Sequence, residues 1–174
     1  MSEQKQYMSE AAKVRDLPNV MKYITGRVAD IGAGHDPITP DCIAFDGRDL
    51  STITVPGEIF ITDAHGMFDT IFSSHFLEHV PNPINYIYNW HRHLNVGGHV
   101  VLYLPEKSYY NNHDNPEHMF NWSFDDFMFW IRRSVCGDGK DFKGNQVPAL
   151  FSVIDSGLDV GYDKYSFYVI LRKL

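Results

Sequence analysis

The chain has 174 residues, 44% of them apolar, and a formal charge of −7 with no run of lysine or arginine. That length suits one domain with a real core, and the charge argues against a nucleic-acid backbone or an anionic membrane as the main partner, because either needs clustered cations. Cys42 and Cys136 form no CxxC or zinc-finger spacing, the N-terminus is polar, and no apolar run approaches the roughly 20 residues that cross a bilayer, so a cytoplasmic protein is expected.

Ser9–Ile24 reads as helix in two pieces, broken near Pro18 and closed by Gly26. Residues 1–25 are therefore expected to form an N-terminal helical cap. Arg27–Ile31 is a first strand, its run of Val28, Ala29 and Ile31 suited to a buried parallel strand. Pro37 and Pro40 fall in Asp36–Asp41, so the first crossover is expected to be a loop or one short turn. Cys42–Phe45 (ending in Asp46), Glu58–Ile61 (followed by Asp63 and Ala64) and Thr70–Ser73 (introduced by Phe68 and Asp69) read as the second, third and fourth strands. Ile84, Ile87, Tyr88, His91 and Leu94 recur at helical spacing, which predicts an amphipathic helix over Pro83–Leu94 ended by Gly97 and Gly98. His99–Leu104 is a fifth strand, stopped by Pro105. Asn111–Asn121 is a polar and aromatic loop. Ser123 and Asp126 make a capping box for a helix over Ser123–Cys136, whose stripe of Phe124, Phe127, Met128, Ile131 and Val135 faces a core. Gly137–Gly144 is a loop, and Phe151–Ile154 and Tyr165–Leu171 close the chain as two strands. This alternation predicts an α/β domain with a mostly parallel sheet and a terminal hairpin-like pair.

The organising stretch is Arg27–Pro37. Gly32 and Gly34, directly after the first strand, let the chain turn sharply and let a ligand approach the main chain without a Cβ in the way. Asp30 sits at the strand's end, where open α/β sheets bind ligands. A carboxylate there attracts a cationic or hydroxyl-bearing ligand and repels phosphate. Four pieces then stand in order: Val-Ala-Asp-Ile-Gly-Ala-Gly at 28–34, Ile-Ala-Phe-Asp at 43–46, Thr-Asp-Ala at 62–64 and Phe-Asp-Thr-Ile-Phe-Ser-Ser-His-Phe-Leu-Glu-His-Val at 68–80. The set resembles a class I S-adenosylmethionine-dependent methyltransferase of the small, type 11-like branch, and the segment at 97–105 resembles that family's fifth strand.

The resemblance implies a Rossmann-like class I methyltransferase fold in a single domain, residues 1–174. It would have a mostly parallel seven-stranded sheet with an antiparallel C-terminal pair, a first crossover helix short or missing, and residues 105–150 covering the substrate. It implies S-adenosyl-L-methionine as cofactor and methyl transfer to an oxygen or nitrogen of a small-molecule or sugar acceptor. Asp30, Gly32 and Gly34 would line the methionine end. Asp46 would accept from both ribose hydroxyls, as a carboxylate's acceptor capacity permits. Asp63 would accept from the adenine amine and Ala64 would offer its backbone N–H to the ring. Ser74, within Ser73–His75, would border the sulfonium. Asp36 stands at the family's third glycine position, and Asp46 follows Asp30 by only 16 positions, which fits a missing first helix.

His75, His79 or His113 could take the acceptor's proton, since an imidazole titrates near neutrality; the sequence does not rank them. His118 lies in the same loop as His113. The segment His75–His79 also matches the H-x-x-E-H pattern of inverted zinc peptidases. There, two histidines on one helical face hold zinc and the glutamate activates water. A variant of the methyltransferase reading lets Glu78 and His79, with His75, bind a divalent ion that orients an acceptor hydroxyl; the sequence alone assigns no metal site. A nicotinamide-binding reductase is disfavoured because G-x-G-x-x-G fails at Pro37 and no helix N-terminus awaits a pyrophosphate. A non-catalytic module that keeps the fold is the remaining alternative.

Overall fold

The computed structural model describes residues 8–110 and 115–174. Among these, one sheet is built from β1 (Val28–Ile31), β2 (Ile43–Asp46), β3 (Val55–Pro56), β4 (Phe68–Ser74), β5 (Leu94–Pro105), β6 (Phe151–Gly161) and β7 (Lys164–Lys173). The order is β3-β2-β1-β4-β5-β7-β6. The first five strands run parallel, and β7 lies antiparallel to both β5 and β6. This is the mostly parallel sheet with an antiparallel closing pair that the sequence led us to expect. The order reverses between β1 and β4, which puts a ligand crevice at the carboxyl ends of those strands.

The helices are α1 (Glu10–Arg15), α2 (Pro18–Met21), α3 (Pro83–His93) and α4 (Phe124–Val135). Ser9 caps α1 by accepting from the Ala12 N–H at 3.0 Å, and Pro18 opens α2 at its first turn. Ser123 caps α4 by accepting from the Asp126 N–H at 3.1 Å. Asp125 and Asp126 sit at the positive end of that helix, and Arg132 and Arg133 at the negative end.

Side chains alternate across the strands, so the sheet carries a core on each face. Ala29, Ile31, Phe45, Ile71 and Val100 pack with Ile87 and Trp90 of α3 and Phe127 and Ile131 of α4. Val28, Ala44, Phe72 and Val101 pack with Val14 and Val20 of the N-terminal helices. No helix connects β1 to β2; residues 32–42 are loop, as the prolines imply. α1 and α2 cover that face instead. Asp36 docks them, accepting from Arg15 Nη2 at 2.6 Å and from the Ser9 hydroxyl, while Arg15 Nη1 reaches the Pro37 carbonyl at 3.0 Å. The residue at the third glycine position thus replaces conformational freedom with an anchor.

Three expectations change. The third strand is Val55–Pro56, not Glu58–Ile61. Ile61 is buried, but its N–H and C=O are both taken by the side-chain amide of Asn89 on α3, at 3.0 and 2.8 Å. The apolar run therefore packs on a helix and leaves no backbone groups for a sheet. On α3 the buried face is Tyr86, Ile87, Trp90 and His93, which recur at three- and four-residue spacing, while Tyr88 lies off that stripe and stays exposed. The helix stops at His93 and β5 begins at Leu94, ahead of Gly97 and Gly98. The surplus length enters a register irregularity opposite Phe68 and Thr70, where Gly98 passes the Asp69 carbonyl so closely that a Cβ would stand 2.7 Å from it.

The stretch 105–150 divides in two. Its first part lies over the carboxyl edge of the sheet, and α4 belongs to the core, with Phe127, Ile131 and Val135 fully buried. Phe127→Ala should therefore lower the unfolding free energy by about 3–5 kcal/mol in a urea titration. A loss below about 1 kcal/mol would mark α4 as a peripheral cover instead.

Candidate active site

β1 runs into Gly32 and Gly34, whose φ angles are 78° and 60°. The N–H groups of Gly32 and Ala33 both donate to the Phe45 carbonyl, at 2.9 and 3.1 Å, which ties the turn to the end of β2. Phe76 packs so near Gly32 that a Cβ there would meet its ring at 2.9 Å. A left-handed φ and this close approach both demand glycine.

Asp30 and Asp46 share one face of the sheet: Asp30 pairs with Ala44, and Asp46 lies two residues further along β2. Asp30 is buried, and its Oδ2 accepts from the Ile38 N–H at 2.7 Å. Burial pushes its carboxyl up to about 7; the Ile38 N–H works against that rise, and the nearby charges of Asp36 and Asp46 add to it. Asp30 is thus an internal anchor for the β1–β2 loop.

Asp46 Oδ2 accepts from the Gly34 N–H at 3.0 Å and Arg48 Nη2 at 3.1 Å, and Oδ1 from the Arg48 N–H at 2.9 Å and Nε at 3.0 Å. Burial alone would raise its carboxyl, but the Arg48 and Gly34 donors outweigh it and hold Asp46 below the usual carboxylate range. A carboxylate offers about four acceptor sites, so Asp46 is saturated while Arg48 lies across it. The Arg48 side chain is 63% exposed, and such a pair contributes only about 0–1 kcal/mol. Ligand hydroxyls can displace it at small cost.

Asp63 and Ala64 do not join this group. They sit on a short 3₁₀ turn, Asp63–His65, before β4. The Asp63 side chain is 92% exposed, and Oδ1 lies 3.2 Å from His93 Nε2 at the last residue of α3. His93 directly precedes Leu94, which pairs with Phe68 at the amino end of β4. That is the opposite edge of the sheet from the glycine turn. β3 instead ends at Pro56, paired with Asp46, so Gly57 (φ 75°) and Glu58 are the residues that follow the strand at the correct edge. The signal was present in the β-branched run Ile53-Thr54-Val55 stopped by Pro56 and Gly57.

At the end of β4, Ser74 pairs with Tyr103 and His75 adopts a left-handed φ of 46°. A non-glycine residue there is strained. His75 is held by its N–H on the Tyr103 carbonyl at 2.8 Å and by Nε2 on Ser166 Oγ at 2.9 Å. Burial first, then the charges of Lys13, His118 and His79, lower its imidazolium to about 3. His75 is therefore neutral near pH 7 and a poor base, contrary to the role considered for it. Glu10 of α1 approaches it at 3.4 Å and accepts from the Tyr165 hydroxyl at 2.9 Å. Glu10, Lys13, Tyr109, Lys164 and Tyr165 line a cavity of about 740 Å³ over this edge. His113 lies outside the described residues.

Leu77–His79 is a single 3₁₀ turn, and His75 precedes it in the left-handed region. His75 and His79 therefore share no helical face, and the zinc-peptidase arrangement is not formed. Glu78 is fully buried; burial pushes its carboxyl up to about 8, its own N–H easing the rise and the charge of Glu10 adding to it. His79 Nε2 stands 3.9 Å from Glu78 Oε1, with Nδ1 3.3 Å from the Glu117 carbonyl.

A family model described as a methyltransferase domain matches residues 6–135. The chain belongs to that family. The chain is similar to the solved structure of the glycopeptide N-methyltransferase MtfA at 13% identity, over 97% of this chain and 92% of that one, with a TM-score of 0.63. It is also similar to N-methyltransferase NodS from Bradyrhizobium japonicum WM9 (12%, 94% and 93%, 0.61) and to an S-adenosylmethionine dependent methyltransferase from Mesorhizobium loti (13%, 90% and 96%, 0.58). At these identities the likeness is one of fold. No curated protein matches the sequence.

In this methyltransferase domain the match ends with the last residue of α4, so the glycine turn, Asp46 and the Glu78 segment all fall inside it. The turn is followed by loop, so no helix N-terminus is present for the pyrophosphate of a nicotinamide cofactor. Among the described residues no helix is long and apolar enough to cross a membrane.

The state of Asp30 sets a pH dependence. The folded protein keeps that proton to about pH 7, whereas an unfolded aspartate releases it near pH 4. The folded state binds more protons in that window, so its stability falls as pH rises from about 4 to 7 and stays lower above it. Asp30→Asn retains an acceptor for the Ile38 N–H and removes the charge. In urea titrations it should be more stable than the parent at pH 8, with the gain disappearing by pH 4.

Proposed function

We propose that this chain transfers the methyl group of S-adenosyl-L-methionine to an oxygen or nitrogen of a small-molecule or sugar acceptor. The observation that carries this reading is Asp46, a carboxylate at the end of β2 bonded to the Gly34 N–H and closed only by an exposed arginine. That position and acceptor capacity suit a ribose diol beside a glycine turn. The glycopeptide N-methyltransferase MtfA is known complexed with sinefungin, and NodS in complex with S-adenosyl-L-homocysteine.

In this reading Gly32 and Gly34 let the cofactor's methionine end approach the main chain, and Ser74 and the strained backbone of His75 border the sulfonium. Asp30 fixes the loop through the Ile38 N–H. The adenine contacts first assigned to Asp63 and Ala64 pass to Gly57 and Glu58, which follow β3. The cavity under α1 receives the acceptor. Its volume of about 740 Å³ suits a small molecule, and its mixed lining of Glu10, Lys13 and Lys164 suits a polar one.

The bound cofactor supplies a methyl carbon already activated by its positive sulfur, so the protein's main work is alignment and exclusion of water. Held by the glycine turn and Asp46, the cofactor would give that methyl to the acceptor's lone pair, the carbon–sulfur electron pair staying on sulfur and the acceptor's proton passing to solvent or a neighbouring base. His75 holds position through Ser166 and does not take that proton.

Calorimetric titration with S-adenosylhomocysteine tests the reading. The parent chain should bind it, and Asp46→Ala should bind roughly 10–100-fold more weakly, the loss expected for charged hydrogen bonds to two hydroxyls. Arg48→Ala should bind up to about fivefold more tightly, because the competing pair is gone. Asp63→Ala should not differ from the parent. Absence of binding to the parent would refute the assignment, and binding without turnover across amine and hydroxyl acceptors would favour a non-catalytic module.

A further inference from the structure

We propose that Glu78, His79 and His118 form a site for a divalent transition-metal ion of the zinc class. One donor atom from each of the three lies within 4.8 Å of the others. Glu78 is fully buried, and among the described residues neither of its carboxylate oxygens has a hydrogen-bond partner. A desolvated carboxylate without donors is costly and calls for a cation or a proton. Two imidazole nitrogens stand beside it, His75 Nδ1 at 3.7 Å and His79 Nε2 at 3.9 Å.

The surroundings orient the three groups. His79 Nδ1 faces the Glu117 carbonyl at 3.3 Å, which leaves Nε2 toward Glu78. Metal-bound histidines are held in this way by a carbonyl or carboxylate on the other ring nitrogen. The N–H groups of Met119 and Phe120 both donate to the Glu78 carbonyl, at 2.7 and 3.1 Å. The loop bearing His118 is thereby pinned to the residue that bears the carboxylate. The His79 and His118 rings meet edge to face at 4.5 Å, and Tyr110 stacks on His118 at 5.4 Å. His75 stays out of the set because its Nε2 is engaged by Ser166.

Two imidazoles and one carboxylate select zinc and its first-row neighbours over magnesium or calcium, which prefer oxygen. Ligands at about 2.0–2.1 Å from a tetrahedral ion lie roughly 3.3 Å apart, so from separations within 4.8 Å binding needs a closing of up to about 1.5 Å by side-chain rotation. Three protein ligands leave a position open to water or a substrate atom. The binding claim stands without the methyl-transfer reading.

The full chain, freed of metal by chelation, is titrated with zinc chloride by calorimetry and with cobalt chloride by visible absorption. The expected result is one equivalent bound at micromolar affinity or tighter, with cobalt bands in the visible. Glu78→Gln and His118→Ala should each weaken binding at least about tenfold, while His91→Asn, on α3, should not. No saturable binding, or full affinity retained in either variant, overturns the site. Should Glu78→Gln fail to fold, His118→Ala decides, since its ring belongs to a surface loop. S-adenosylhomocysteine binding measured on the same preparation, with and without chelator, should not change, so failure of either reading is seen separately from the other.

Discussion

The N–H of Ile38 donating to the buried carboxyl of Asp30 is the bond on which the functional edge depends. A loop that replaces a crossover helix loses the helical pairing of its backbone groups, and each must find a partner of its own. Here the partners come from the strands it joins. Gly32 and Ala33 donate to the Phe45 carbonyl, Gly34 to Asp46 and Ile38 to Asp30, while the Thr52 hydroxyl donates to the Gly34 carbonyl. Ile38 also carries its side chain into the core beside Val14 and Val20. The same few residues thus close the core and shape the turn, with burial favouring the proton on Asp30 and the Ile38 N–H favouring its charged form.

Removal of that helix left a sheet face to cover, and the N-terminal segment covers it. Asp36, Arg15 and Ser9 form the joint. Once α1 is docked there, Glu10 lies above the carboxyl ends of β4 and β5, bonded to Tyr165 and Lys13 and close to His75. A segment that buries Val14 and Ala11 therefore also furnishes polar groups at the carboxyl edge of the sheet. Loss of α1 would uncover the core and remove an acidic group from the site together.

What was legible in the sequence had local causes. The glycine turn, the proline-interrupted crossover and the α4 stripe each follow from the conformational range or periodicity of residues close in sequence, and the structure has them. The third strand did not follow, because an apolar run shows that it is buried without showing against what. Asn89, 28 residues beyond Ile61, satisfies that run's backbone and turns a plausible strand into a segment lying on α3. Asp63 follows from the same cause: it comes directly after the apolar run, but it stands at the opposite edge of the sheet with His93. His118 shares a loop with His113, and its approach to Glu78 depends on main-chain bonds from Met119 and Phe120 that no spacing rule anticipates.

His75 joins these threads. It is neutral, buried and held in a left-handed conformation, a state that costs on the order of 1–3 kcal/mol and persists only where the surroundings impose it. On either side stand Glu10 and Glu78, whose unpartnered carboxylate oxygens lie 3.4 and 3.7 Å from its ring. Two acids flanking an uncharged imidazole make poor packing for its own sake, since each desolvated oxygen weakens the fold. Lys13 already answers Glu10 at 2.8 Å, and Glu78, its carboxyl pushed up to about 8, keeps its proton at neutral pH. A metal ion between Glu78 and the histidines would displace that proton, so at this edge cation binding and proton release would be linked.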